Sequence, residues 1–247
     1  MNTSINNKGL VIGSIVLGGA LIIAVSVWAY SFFAVKSLSN VISVTGSAEK
    51  NITSDMVKWT SGFSRNVGLS GTKEGYAMMN KDLISVSEYF KAQGVTEKEF
   101  TAKPVMMNPV YESNDKYGSK MTGYILQQFI EIQSENVSSI TKLAQDAPVK
   151  LSELDILFSS QGLEYYYSKF ADLKVEMLAE ATKNAKARAE KIAESTGSKI
   201  GFLQSANMGV FQVTPVNSVD VSDYGYFDTS SIEKKVTSVV RASFSLK

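Results

Sequence analysis

Cysteine and histidine are both missing from the 247 residues. Their absence removes the thiolate nucleophile, the Ser-His-Asp triad, the structural zinc site and the histidine-ligated haem from the chemistry available to this chain. It does not fix a redox compartment, because a chain without cysteine is compatible with any of them. A dominant charge is missing too: beyond residue 40 there are 23 basic and 24 acidic side chains. A nucleic-acid partner would favour a basic face, so none is expected. No Asp-x-Asp-x-Asp-Gly loop offers the oxygen cage that calcium needs. Gly68 and Gly71 lack the helix-opening pattern of a phosphate loop. The chain is therefore read as having no cofactor and no metal site.

Charge is absent altogether from residues 10–35, which are dominated by Leu, Ile, Val, Ala and Gly. At about 1.5 Å per residue this segment exceeds the roughly 30 Å hydrocarbon layer, so it can span a bilayer with room for tilt. A cleaved signal peptide is the competing reading, and Val27-Trp28-Ala29 offers residues that a signal peptidase could read. Signal-peptide cores usually run only about 7 to 15 residues, so length favours an uncleaved anchor after a short tail at residues 1–9. Lys8 and Lys36 flank the segment and give only a slight orientation bias. The short tail and large downstream domain favour the N-terminus inside. Trp28, Tyr30, Phe32 and Phe33 resemble an interfacial aromatic belt. Gly9, Gly13, Ser14, Gly18, Ala20 and Ala24 place small residues one turn apart, which would let two such helices pair, though small residues are common in membrane helices generally.

Residues 41–247 interleave alternating strands and helical periods without a visible boundary, which predicts one α+β domain. Strands are expected at 41–49 and 56–65, turning at 51–55 to form a hairpin. Residues 72–93 repeat Tyr76, Met79, Leu83, Val86 and Phe90 on one helix face, closed by Gly94. Strands at 101–112 and 122–133 flank a polar turn at 113–119, and Pro104 and Pro109 make the first an edge or bulged strand. A short helix at 137–145 should stop before Pro148, with a strand at 153–160 after it. The longest helix is expected at 165–196, with Phe170, Leu173, Met177, Ala181, Ala185, Ala189 and Ile192 as its apolar stripe. Its Lys, Arg and Glu residues read as a solvated face. Residues 214–235 read as a long surface loop, and 236–247 as a closing strand.

Ser47-x-x-Lys50 and Ser70-x-x-Lys73 match the spacing by which a lysine can take a serine proton, which keeps a Ser-Lys envelope hydrolase as the alternative function. Neither is accompanied by Lys-Thr-Gly or Ser-Asp-Asn. Asp220, Asp223 and Asp228 read as a solvated acidic loop rather than a cation site. Tyr165 to Tyr167 read as helix-to-sheet packing. Tyr224, Tyr226 and Phe227, aromatic residues in the expected loop, are the candidate partner contact.

Four segments together resemble the SIMPL family: Val41-Ile42-Ser43-Val44-Thr45-Gly46-Ser47-Ala48-Glu49, Gly123-Tyr124-Ile125-Leu126-Gln127-Gln128-Phe129-Ile130-Glu131-Ile132, Ala187-Arg188-Ala189-Glu190-Lys191-Ile192-Ala193-Glu194 with Gly197, and Val240-Arg241-Ala242-Ser243-Phe244-Ser245-Leu246. The resemblance implies an antiparallel sheet packed by long helices, no agreed enzymatic activity, and large ring-like oligomers in some bacterial members. Many relatives have an ordinary signal peptide where this chain has an anchor. The expectation is a single-pass protein of the bacterial cytoplasmic membrane. Its domain faces the periplasm or exterior and acts by binding or assembly, with a second copy or another envelope protein as partner.

Overall fold

The computed structural model describes residues 7–37, 40–114, 118–218 and 222–247. Residues 1–6 of the tail, 115–117 of the expected turn, and Asp220 lie outside the described residues. In chain order the elements are α1 (Asn7–Ser37), β1 (Val41–Thr53), β2 (Met56–Gly68), α2 (Thr72–Ala92), β3 (Phe100–Ala102), β4 (Met106–Asn114), β5 (Gly118–Ser134), α3 (Val137–Ser152), β6 (Leu157–Tyr166), α4 (Phe170–Ser195), β7 (Ile200–Met208), β8 (Gln212–Pro215), β9 (Tyr226–Phe227) and β10 (Glu233–Leu246). The class is α+β with antiparallel-rich sheets, as expected. Within α1, residues Val11–Phe33 are apolar and long enough to cross a membrane, and no other part of the described protein buries them.

Contacts divide the chain into two compact units, each assembled from separate segments: Met1–Ala48 with Glu176–Gly209 and Ser238–Lys247, and Glu49–Val175 with Val210–Thr237. In the larger unit β2 lies between β5 and β6, antiparallel to both. Alternation along β2 turns Val57, Trp59 and Phe63 to one face, and all three are buried. Onto them pack Met79, Val86 and Phe90 of α2 and Ile140, Leu143, Ala144, Ala147 and Leu151 of α3. Trp59, Phe90 and Phe158 form a triangle of edge-on rings with centroids 5.4 to 6.0 Å apart. The Trp59 indole N–H donates to Ser160 Oγ at 2.9 Å, so the ring is buried without an orphaned donor.

A bidentate ion pair ties α2 to this sheet. Arg65 on β2 grips Asp82 on α2 with two parallel bonds, Nε to Oδ2 at 2.7 Å and Nη2 to Oδ1 at 3.0 Å. Its Nη1 also donates to Asp155 at 3.2 Å. Hydrogen bonding to Asp82 raises the Arg65 pKa above its already high value, against a smaller lowering by burial. The two acids differ in setting: the Asp82 side chain is 7% exposed and the Asp155 side chain 97%. Asp82→Ala strands a half-buried guanidinium and should cost about 3 kcal/mol, whereas Asp155→Ala should change stability by less than about 0.5 kcal/mol. Urea unfolding of the two variants measures the contrast.

In the smaller unit the central strand is the Ser238–Leu246 part of β10, antiparallel to β7. On its other side runs β1: Asn40 O accepts from the Leu246 amide at 2.9 Å, and Ser43 Oγ meets Ser243 Oγ at 2.8 Å. Ala185 and Ala189 of α4 pack on Val44, Ala242 and Phe244. The alanine stripe permits an approach close enough that a Cβ on Gly46 would stand 2.2 Å from Ala181 O and 2.3 Å from Ala185 N.

Several expectations are corrected. Strands β1 and β2 do not form a hairpin, because β2 is already paired on both sides and β1 pairs β10. The strand expected at 101–112 is cut at Pro104 into β3 and β4, and β4 carries Pro109 on an edge with a register shift at Val110/Tyr111. Helix α3 runs through Pro148, its five buried apolar side chains outweighing a proline penalty of about 3 kcal/mol. The strand expected at 153–160 starts later, since Asp155 turns with φ +56°. Tyr165 belongs to β6 rather than to the long helix, and its hydroxyl meets Thr141 Oγ1 of α3 at 3.1 Å. Ile192 leaves the alanine stripe and is 48% exposed, while Ala193 takes the buried position.

Candidate interaction surface

The loop expected at 214–235 is partly built structure. Phe227 of β9 sits edge-on to Phe170 at 5.3 Å, and Phe211 meets the same ring at 6.4 Å. Lys174 Nζ lies 4.8 Å from the Phe170 centroid, within cation–π range. Tyr226 pairs with Gln212 of β8. Of the three aromatic residues singled out from sequence, Tyr224 is 97% exposed, while Tyr226 and Phe227 are half-exposed and already partnered. The three are brought near one another along the chain, with Tyr224 the most open.

Asp228 is not part of a solvated acidic loop. It is buried, as is Lys234, whose Nζ donates to Asp228 O at 2.8 Å and Oδ2 at 3.2 Å and also to Ser231 O. Ser230 donates to Asp228 Oδ1 through its amide and hydroxyl at 2.9 and 2.7 Å, and the Ser231 hydroxyl bonds Oδ2. Burial alone would raise the Asp228 pKa, but the hydroxyls of Ser231 and Ser230, the Ser230 amide and Lys234 hold it far below the usual carboxylate range. Burial lowers the Lys234 pKa, and Asp228 opposes that. Every ammonium contact is to an acceptor, so the pair clamps the turn into β10 and offers no free base.

The two Ser-x-x-Lys matches stand in different settings. Ser47 and Lys50 are three apart on one strand, a spacing that points side chains to opposite faces. The Ser47 amide bonds Asn184 Oδ1 at 3.2 Å. Ser70 lies in an exposed turn and Lys73 in the exposed first turn of α2.

Strand β7 is the feature that the loop-centred sequence reading missed. Among the described residues it pairs only with β10, leaving its other edge open. Phe202, Leu203 and Met208 are 63%, 47% and 56% exposed. The signal was legible: residues 200–219 form a run of twenty without a charge. Open edges invite pairing with another chain and are normally guarded by charge or proline. Such guards stand on the other long edges: Pro109 and Glu112 on β4, Glu164 on β6, Glu49 and Lys50 on β1. Strand β7 has none.

Comparison with curated proteins returned no match. The model of the SIMPL family, described as a protein of unknown function, matches residues 42–244 and so takes in segments of both compact units. On that match, which covers most of the chain and agrees with the antiparallel sheets and long alanine-faced helix, the protein belongs to the SIMPL family.

Proposed function

We propose that this chain is a single-pass membrane protein, held by α1 with its N-terminus in the cytoplasm, whose SIMPL portion lies in the periplasm or exterior and acts by self-assembly rather than catalysis. The unguarded edge of β7 is the observation that carries this reading. Two copies of β7 can pair antiparallel without setting any like charges opposite each other, because the strand has no charge at all. The exposed Phe202, Leu203 and Met208 would add apolar burial to the new ladder. The aromatic residues toward the C-terminal end of the apolar span, where Trp28 and Phe32 stack at 5.8 Å, suit a membrane–water interface at that end.

Light scattering of the full chain in detergent tests the proposal. Wild type should run as an oligomer. The double variant Phe202→Lys, Met208→Lys should run as a monomer with an unchanged far-ultraviolet circular dichroism spectrum, since both side chains are exposed in the single chain. A monomeric wild type, with or without another envelope protein captured in its place, or an oligomer unaffected by the two lysines, would overturn the β7 assignment.

A further inference from the structure

A cleft in the smaller unit lies beside β1 and α4, with a volume of about 640 Å³. Its lining surface is largely apolar, and Arg188 and Lys191 line it beside Val44, Ala187 and the displaced Ile192. That volume suits a small-molecule or acyl-chain ligand. The Arg188 guanidinium uses Nη1 on the Thr45 carbonyl at 3.1 Å, and the residue is exposed. Lys191 lies 2.9 Å from Glu194, and Lys186 lies 3.8 Å from Glu190, so both neighbouring acids on α4 are matched by a lysine.

The place of the cleft in the chain identifies what reaches it. Residues 38–40 are all that separate α1 from Val41, a span of at most about 15 Å to which the run to Val44 adds about 10 Å. The end of the sheet where β1 begins also holds Lys199 and Lys247, whose backbones bond each other at 3.0 and 2.8 Å, and Asn40, bonded to Leu246. An apolar cleft lined by Arg188 is thus tethered within reach of a leaflet, on a sheet end rich in lysine. Arginine beside a non-polar groove is suited to a phosphate ester bearing a hydrocarbon chain.

We propose that this cleft takes an acyl chain of an anionic phospholipid from the leaflet into which α1 is anchored, with Arg188 on the phosphate. The proposal rests on the membrane reading of α1 and adds a lipid ligand to it.

The test reconstitutes the full chain into phosphatidylcholine vesicles containing phosphatidylglycerol with a photoactivatable acyl chain, followed by mass mapping of labelled peptides. Label is expected both on α1 and on the α4 peptide carrying Ala187 and Ile192. Cleft labelling should fall about tenfold in Arg188→Glu, the equivalent of losing one charge-assisted contact, and similarly in Ala187→Trp, which fills the space. Both positions are exposed, and an unchanged melting temperature checks that the variants fold. Photoactivatable phosphatidylcholine should label the cleft more weakly than phosphatidylglycerol. Label on α1 with none at the cleft overturns the lipid proposal alone. Equal labelling by both lipids, indifference to Ala187→Trp, or a cleft occupied by a second copy also overturns it. An unlabelled α1 overturns the membrane reading and the lipid proposal with it.

Discussion

Lys234→Met is expected to destabilise the protein by about 4 kcal/mol, a large share of the 5 to 15 kcal/mol that holds a typical domain folded. The substitution leaves the Asp228 carboxylate buried with the Ser230 and Ser231 donors but without its counter-charge. A buried pair need not stabilise a fold relative to a well-packed apolar substitute, yet removing one partner strands the other. The double variant Lys234→Met, Asp228→Leu should therefore recover part of the loss, which chemical denaturation can read directly. Acid behaviour offers a second readout. An acid whose folded-state pKa lies below its unfolded value binds fewer protons when folded. Its contribution is complete above the unfolded value of about 4 and is lost as pH falls through the folded value. Asp228 is such an acid. Wild type should accordingly lose melting temperature more steeply below pH 4 than Asp228→Asn does. Equal slopes would show that the carboxylate carries no charge-dependent stability.

Gly46→Ala is the second large effect. Its new methyl would lie 2.2 Å from Ala181 O, 2.3 Å from Ala185 N and 2.7 Å from Ala185 Cα, all backbone atoms of α4. A side chain in the way could rotate, whereas a helix backbone has to move as a body, and the Ala185 and Ala189 contacts on Val44, Ala242 and Phe244 would open with it. The expected loss is about 3 kcal/mol, the upper part of the usual range for overpacking. Gly162→Ala is the internal control, because nothing stands within 4 Å of its Cβ position. Paired thermal melts should show Gly46→Ala far below wild type and Gly162→Ala beside it. Similar melting temperatures for the two would mean that α4 does not lie so close to β1.

The physical basis of these two predictions also explains what could be read from sequence. Periodicity is local, so most of the α2 face was legible: Met79, Val86 and Phe90 are buried where a 3.6-residue repeat puts them, Leu83 is partly buried, Tyr76 is exposed with Gly75 in the buried place instead, and Gly94 closes the helix region with φ +91°. The alanines of α4 and the alternation of β10 were legible for the same reason. Partner choice is not local. Alternation marked β1 and β2 as strands but could not reveal that β1 pairs with β10, nearly two hundred residues away. Gly46 reads in sequence as one more small residue until α4 is packed against it. Asp228 and Lys234 read as solvent-facing charges because burial of an ion pair leaves no periodic mark. Of the candidate contact residues, Tyr224 is open as its loop position suggested, while Phe227 has an intramolecular ring partner that only the fold supplies. The β7 edge was visible as an uncharged run, but its lack of a second neighbour became visible only with the strand order.

Placement across a membrane is the claim on which assembly at a surface and lipid capture both depend. Residues 11–33 form an apolar helix that the rest of the described protein leaves uncovered, and the segments that follow carry charges too costly to share the hydrocarbon. The direct measurement is protease added to sealed spheroplasts that express the full chain, followed by mass mapping of what remains. The account predicts that residues beyond Val41 are digested while a small membrane-held fragment containing Val11–Phe33 survives. A SIMPL portion fully protected in sealed spheroplasts, and digested only after lysis, would contradict it.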